Sequence, residues 1–132
     1  ILTHKKDFRG WNATKEKIHY RERKIYFRER EIWWMKLGIN VGYEQDGGNN
    51  FERPVIIFRK LNDKMFYGIP TTSKDKLGNY YFPVSINNFQ TKAILSQLRI
   101  FSKNRLLWRI GKMQNEEFEK LLLATKKILL PK

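Results

Sequence analysis

Arg53 stands immediately before Pro54, at the start of the apolar run Val55-Ile56-Ile57 and just after a stretch rich in glycine and asparagine. Thr71, Thr72, Ser73 and Lys74 close a later apolar run, and Ser96, Gln97, Leu98 and Arg99 follow downstream. A guanidinium stays charged at any physiological pH and presents a planar fork of donors that matches phosphate oxygens. Hydroxyl and amide side chains add neutral hydrogen bonds. Such a set can grip a phosphodiester and neutralise charge on it, although each segment also has an ordinary reading. Arg53 could be a surface ion-pair partner, and Thr71-Thr72-Ser73 an unremarkable loop.

Other chemistries lack their residues. The only histidines, His4 and His19, both lie near the N-terminus, so neither a histidine triad nor a multi-histidine metal set is available. Cysteine is absent, which removes disulfides, thiol nucleophiles and zinc thiolates. The carboxylates are scattered with no Asp-x-Asp pair suited to magnesium. Gly47-Gly48 reads as a turn rather than a phosphate-cradling loop. No metal and no cofactor are expected.

Charge names the class of partner. Lys and Arg number 27 against 13 Asp and Glu, a formal +14 spread along 132 residues. A field of that sign favours polyanions, among them nucleic acid, an anionic membrane face or an acidic protein. No apolar run approaches the ~20 residues of a membrane span, and the first residues lack the apolar core of a secretion signal. The expected location is cytoplasmic, away from any membrane.

The elements that would position these side chains follow from periodicity. Asp7 to about Tyr20 reads as a short amphipathic helix, with Phe8, Trp11 and Ile18 on one face and the Lys15 stem along it. Residues 21–30 read equally as strand or helical turn. From Glu31 the pattern becomes short strands: Ile32–Leu37, Pro54–Lys60, Met65–Pro70 after an Asn62-Asp63 turn, Tyr80–Val84, and Lys92–Ile100. A helix closes the chain, with Asn115 as N-cap, Glu116 and Glu117 in the first turn, and a stripe of Phe118, Leu121, Leu122, Thr125, Ile128 and Leu129. The expectation is one mainly β domain with added α: an N-terminal helical extension over residues 1–30 and a small barrel over 31–132.

The order of the segments carries a resemblance. Glu31-Ile32-Trp33-Trp34, then Gly42-Tyr43-Glu44-Gln45-Asp46-Gly47 with Arg53-Pro54-Val55, then Ile69-Pro70-Thr71-Thr72-Ser73, then Leu95-Ser96-Gln97-Leu98-Arg99 with Lys103-Asn104-Arg105-Leu106, resemble the MazF/PemK family over about three quarters of the chain. The family's opening strand usually reads Gly-Glu/Asp-Ile/Val-Trp. The resemblance implies an SH3-like small β-barrel (PemK/CcdB-like) with a C-terminal helix, a homodimer, and an mRNA-interferase type of endoribonuclease. Such a toxin cleaves single-stranded RNA through attack by the 2′-hydroxyl, and an acidic antitoxin covers its groove. Carried over by position, the catalytic Arg and Thr fall on Arg53 and Thr71. RNA binding falls on Gln45, Thr72, Ser73, Lys74, Ser96, Gln97 and Arg99, with Lys76 as a further phosphate contact and Tyr43 and Phe51 as candidates to stack on bases.

Two departures bear on the chemistry. Ser96 and Ser102 replace acidic residues of the family pattern, which leaves the general base unassigned, with Glu44 the nearest carboxylate in sequence. Two other readings therefore stay open: a non-catalytic toxin on the same barrel, as in the CcdB relatives, and a plain nucleic-acid-binding module.

Overall fold

The computed structural model describes residues 6–38, 47 and 51–130. Helix α1 (Phe8–His19) leads into strands β1 (Glu31–Lys36), β2 (Glu52–Lys60), β3 (Met65–Thr72), β4 (Tyr81–Ile86), β5 (Phe89–Ile94), β6 (Arg99–Ser102) and β7 (Leu106–Lys112), and helix α2 (Asn115–Leu129) follows. Every pairing is antiparallel, in the order β4-β5-β3-β2-β1-β7, with β6 also beside β3. The expected fold class, mainly β with a helix at each end, is what the chain adopts. No helix among the described residues is long and apolar enough to cross a membrane.

Alternation along the strands separates two cores. Ile32, Ile56 and Ile69 face α2 and pack with Val84, Ile86, Ala93, Leu95, Phe118 and Leu121. Trp33, Met35, Val55, Ile57 and Phe66 face the other way, where Phe101, Leu106 and Phe27 complete an inner core. Phe27 comes from residues 20–30, which form neither helix nor strand up to the turn at Glu29 and Arg30. It is fully buried while its neighbour Tyr26 is exposed, and its ring lies 5.2 Å from that of Phe66.

Several elements differ from the sequence reading. The strand expected over Lys92–Ile100 is broken by a 3-10 turn, Leu95–Gln97. β5 pairs with the end of β3 (Thr71 with Ala93) and β6 with its beginning (Gly68 with Arg99), in registers that differ by three residues. The turn holds those three residues. Pro70 sits where β3 changes partner, a position that suits a residue without an amide proton. β7 was not expected at all, because as a sheet edge beside β1 it leaves Trp108 and Arg109 exposed and shows no clean alternation. In α2 the cap is Gln114, with no side-chain bond, rather than Asn115. In α1, Asp7 caps through the Gly10 amide (2.9 Å), while Phe8, expected on the buried face, is 55% exposed. The covered stripe narrows to Trp11 and Ile18, two turns apart.

The entry to β1 is held by a buried carboxylate. Glu31 accepts hydrogen bonds from the Arg28 amide (2.7 Å), the Trp33 indole (3.1 Å) and Arg109 (3.0 Å). Burial by itself would raise its pKa, but the three donors together hold it below the usual carboxylate range. The residue before it, Arg30, has φ +75°, the left-handed region that suits glycine and the position where the resembling pattern places one.

Two outcomes follow. A carboxylate whose folded pKa is depressed stabilises the fold above its unfolded pKa of ~4.3 and loses that contribution as pH falls through the lower folded value. Urea titrations of Glu31→Gln should show a deficit of about 1–3 kcal/mol at neutral pH, narrowing as the solution is acidified below that range. Arg30→Gly should raise the urea midpoint, by about 0.5–1 kcal/mol in stability, since relief of the left-handed strain exceeds the entropy cost of glycine.

Candidate functional site

The β2–β3 register decides which side chains can act together. Continuing two residues from the Val55–Pro70 pair sets Pro54 opposite Thr71 and Arg53 opposite Thr72. Thr71 lies on the same face as Ile69, is 1% exposed, and donates its hydroxyl proton to the Pro54 carbonyl at 2.9 Å. That proton is held inside the sheet. Arg53 lies on the other face, in line with Val55 and Ile57, and is half-buried. Thr72 shares that face. It is 4% exposed, and its oxygen accepts from the Lys74 amide at 3.2 Å.

Pairing with β6 adds to the same face. Arg99 is opposite Gly68 and therefore in line with Thr72, and Gln97 ends the 3-10 turn just before it. The Arg99 guanidinium lies 4.9 Å from the centre of the buried Phe101 ring, and Arg105 lies 5.6 Å from the same ring. Burial, then the charge of Arg99, lowers the Arg105 pKa to about 10, so this guanidinium is still charged at neutral pH. The register thus sets Arg53, Thr72 and Arg99 on one face, with Gln97 in the turn that precedes Arg99. Ser73, Lys74, Lys76 and Ser96 are exposed at its margins. Gln45, Tyr43 and Glu44 lie outside the described residues.

Arg53 is approached through a clamp that sequence reasoning did not find. The Leu37 and Gly38 amides both donate to the Phe51 carbonyl (2.8 and 3.0 Å), and the Gly47 amide donates to the Gly38 carbonyl (2.6 Å). Gly38 has φ +85°, and a Cβ there would come within 2.1 Å of the Trp11 indole. Trp11 also packs on Phe51, with ring centres 5.5 Å apart, so Phe51 is occupied in packing rather than presented for stacking on a base. Arg105 donates to the Lys36 and Leu37 carbonyls (3.2 and 3.0 Å) and lies 5.7 Å from the Trp11 ring. The chain then passes from Phe51 through Glu52 to Arg53. Glu52 accepts from the Trp34 indole and from Lys36 (2.5 Å), on the face opposite Arg53. Only the strand register, which sets Lys36 opposite Glu52, reveals these partners.

Among the described residues no three His, Cys, Asp or Glu side chains gather as metal ligands. Guanidinium, hydroxyl and amide groups on a cationic rim are what the described residues offer at this face.

Comparison with known proteins places this arrangement. Residues 28–129 match the family model described as PemK-like, MazF-like toxin of type II toxin-antitoxin systems. No curated protein matches by sequence. Solved structures share the fold. The Mycobacterium tuberculosis toxin MazF-mt6 is 16% identical with a TM-score of 0.60, covering 76% of this chain and 96% of its own. MazF from Deinococcus radiodurans is 13% identical with a TM-score of 0.63, over 80% and 98% of the two chains. MazE-MazF from Deinococcus radiodurans is 9% identical with a TM-score of 0.57, again over 80% and 98%. With a family model spanning most of its length and the barrel to match, the chain belongs to the PemK-like, MazF-like toxins of type II toxin-antitoxin systems.

Proposed function

We propose that this toxin is a cytoplasmic endoribonuclease that cuts single-stranded RNA without a metal ion. The reading is supported by the strand register, which, continued to Arg53, sets it opposite Thr72 on the face of Arg99. RNA brings its own nucleophile in the 2′-hydroxyl. As that oxygen bonds to phosphorus and loses its proton, the bond to the 5′-oxygen breaks, leaving a 2′,3′-cyclic phosphate and a 5′-hydroxyl. Arg53 neutralises the phosphoryl oxygens and aids departure of the 5′-oxygen. Thr72 donates a hydrogen bond to the same phosphate and takes the role that position alone gives to Thr71. Thr71 instead fixes Pro54, and through it the direction of Arg53. Gln97 and Arg99 hold the strand, with Ser73, Lys74, Lys76 and Ser96 at its edges and Gln45 contributing from the long loop. Domain limits of 1–30 for the extension and 31–132 for the barrel accompany this reading.

The working unit is a homodimer held inactive by an acidic antitoxin, a pairing in keeping with the MazE-MazF neighbour and with the charge of +14. Opposite charge would speed their encounter, and apolar anchors would set its lifetime. Leu123 and Leu129, exposed on α2, and Leu130 just after it are apolar surface that a second copy would cover.

Cleavage is tested with purified protein and single-stranded RNA in EDTA. RNA should be cut and DNA of the same sequence left intact. Arg53→Ala should lower the rate on the order of 10²–10³, as loss of a preorganised charged donor does. Thr72→Val should cost less, because a neutral hydroxyl is a weaker donor, whereas Thr71→Val should act mainly on stability. Ser96→Asp should speed cleavage by restoring a carboxylate at the position where this chain lacks one. Cleavage that persists unchanged in Arg53→Ala, or that requires magnesium, would overturn the mechanism. No cleavage by the unmodified chain would favour a non-catalytic, CcdB-like toxin. Light scattering at micromolar concentration should give about twice the 16.0 kDa of one chain; a value at the single-chain mass would remove the dimer.

A further inference from the structure

A second cationic site lies at the other end of β3. Residues 21–24 run past the start of β3 and the turn after β6, enclosing a groove of about 600 Å³ lined by Arg21, Arg23, Lys24, Lys64 and Lys103, with Glu22 as its one acid. Backbone carbonyls hold the two arginines in place: Arg21 donates to Asn104 (3.4 Å) and Arg23 to Leu106. The Lys103 amide donates to the Lys64 carbonyl (2.8 Å), which brings these two lysines side by side. Among the described residues none of the five cations forms an ion pair, and the Arg23 Nε is buried without a hydrogen-bond partner. Five like charges gathered and left unneutralised repel one another. Burial and the charge of Arg21 lower the Arg23 pKa, the same repulsion seen from one member.

The lining also says what kind of anion fits. Among the described residues none that borders the groove is apolar or aromatic. An acidic peptide that folds on binding needs apolar anchors, and a nucleobase needs a ring to stack on. A chain of phosphates needs neither. Lys64 precedes the first residue of β3 and Thr72 is its last, so the groove stands about 25 Å from the Arg53 face at the rise of an extended strand. β6, carrying Arg99, runs alongside β3 between them. Three of the five cations precede residue 28 and so lie outside the part of the chain that matches the family.

We infer that this groove is a second, sequence-independent site for the sugar–phosphate backbone of single-stranded RNA, gripping the strand about 25 Å from the cleavage point. It rests on the reading of the Arg53 face as the cutting site and adds length dependence: a long strand engages both sites, a very short one only the first.

The test uses the full chain and 2′-O-methyl strands, which cannot be cleaved, with binding read by fluorescence anisotropy across a range of salt. A tetranucleotide reaches only one site, and a strand of about 20 nucleotides spans both, given ~3.4 Å per stacked nucleotide. The variant Lys24→Gln/Lys64→Gln/Lys103→Gln leaves the anchored arginines and the Arg53 face untouched. Its affinity for the long strand should fall ten- to hundredfold at ~0.1 M salt, and the slope of log K against log[salt] should flatten by about 2, from ~0.7 per lost phosphate contact. Tetranucleotide binding should not change. Unchanged long-strand binding would overturn the inference, as would equal weakening for both lengths. So would a variant that loses affinity for polyglutamate while keeping the long strand, since the groove would then serve an acidic protein. Because nothing is cut in this assay, a chain that binds long strands through the groove yet shows no ribonuclease activity would keep this site and remove only the cleavage reading.

Discussion

Val55, Ile56 and Ile57 are consecutive and all fully buried, which a strand can satisfy only where apolar material covers each face of its sheet. α2 covers one face; the curl of the sheet, closed by Phe27 and Phe101, covers the other. The half-buried Arg53 and the buried Thr72 come at the ends of β2 and β3. Continued to those ends, the same pairing that buries the isoleucines sets Arg53 and Thr72 on one face. A slip of one residue would turn Arg53 towards α2 and exchange the apolar side chains between two cores that are packed for different shapes. The hydrophobic core and the alignment of the candidate catalytic groups are one constraint.

Arg105 illustrates a cost accepted to keep that alignment. Its guanidinium is partly removed from water and faces the charge of Arg99, so its protonated form is less favoured in the folded state than in the unfolded one. In a base, a lowered folded pKa weakens the fold wherever the group is charged, including neutral pH. Two carbonyl hydrogen bonds and two aromatic faces offset this. What is gained is a fixed exit from β1. The carbonyls of Lys36 and Leu37 are held, Gly38 can turn against Trp11, and the Leu37 and Gly38 amides are tied to the Phe51 carbonyl. Arg53 follows Phe51 by two residues, so its position depends on a helix that lies outside the matched region.

Period and order were legible in the sequence where a segment had one dominant environment. β1, β2, β3 and α2 were found because apolar residues recur at the right spacing and turn residues bound them. The β5–β6 break was hidden, since the three-residue register change belongs to β3's two partners and leaves no mark in Lys92–Ile100 itself. β7 was hidden because an exposed edge strand has no alternation to show. The site was legible as residue types but ambiguous as geometry. Thr71 and Thr72 are adjacent and chemically identical, and only cross-strand register tells which one faces Arg53. The partners of Glu31, Glu52 and Arg105 were not legible, because those of a buried ionic side chain lie far away in the chain.

The N-terminal segment shows how a fold at 9–16% identity to its neighbours can carry features of its own. A barrel of this kind needs apolar residues at alternating positions and turns at the ends, a demand that many sequences meet. Residues 6–27 add to that minimum at three points. Trp11 packs on Gly38 and Phe51 at the base of the long loop, Phe27 fills the inner core, and Arg21, Arg23 and Lys24 stand opposite Lys64 and Lys103. The first two bury apolar surface and favour folding, while the third gathers like charge and opposes it. The segment stays docked because Trp11, Ile18 and Phe27 are spaced along it and anchor it on either side of the charged stretch. Repulsion within residues 21–24 is therefore held in place by burial at both ends, which keeps a cationic groove open on the folded protein.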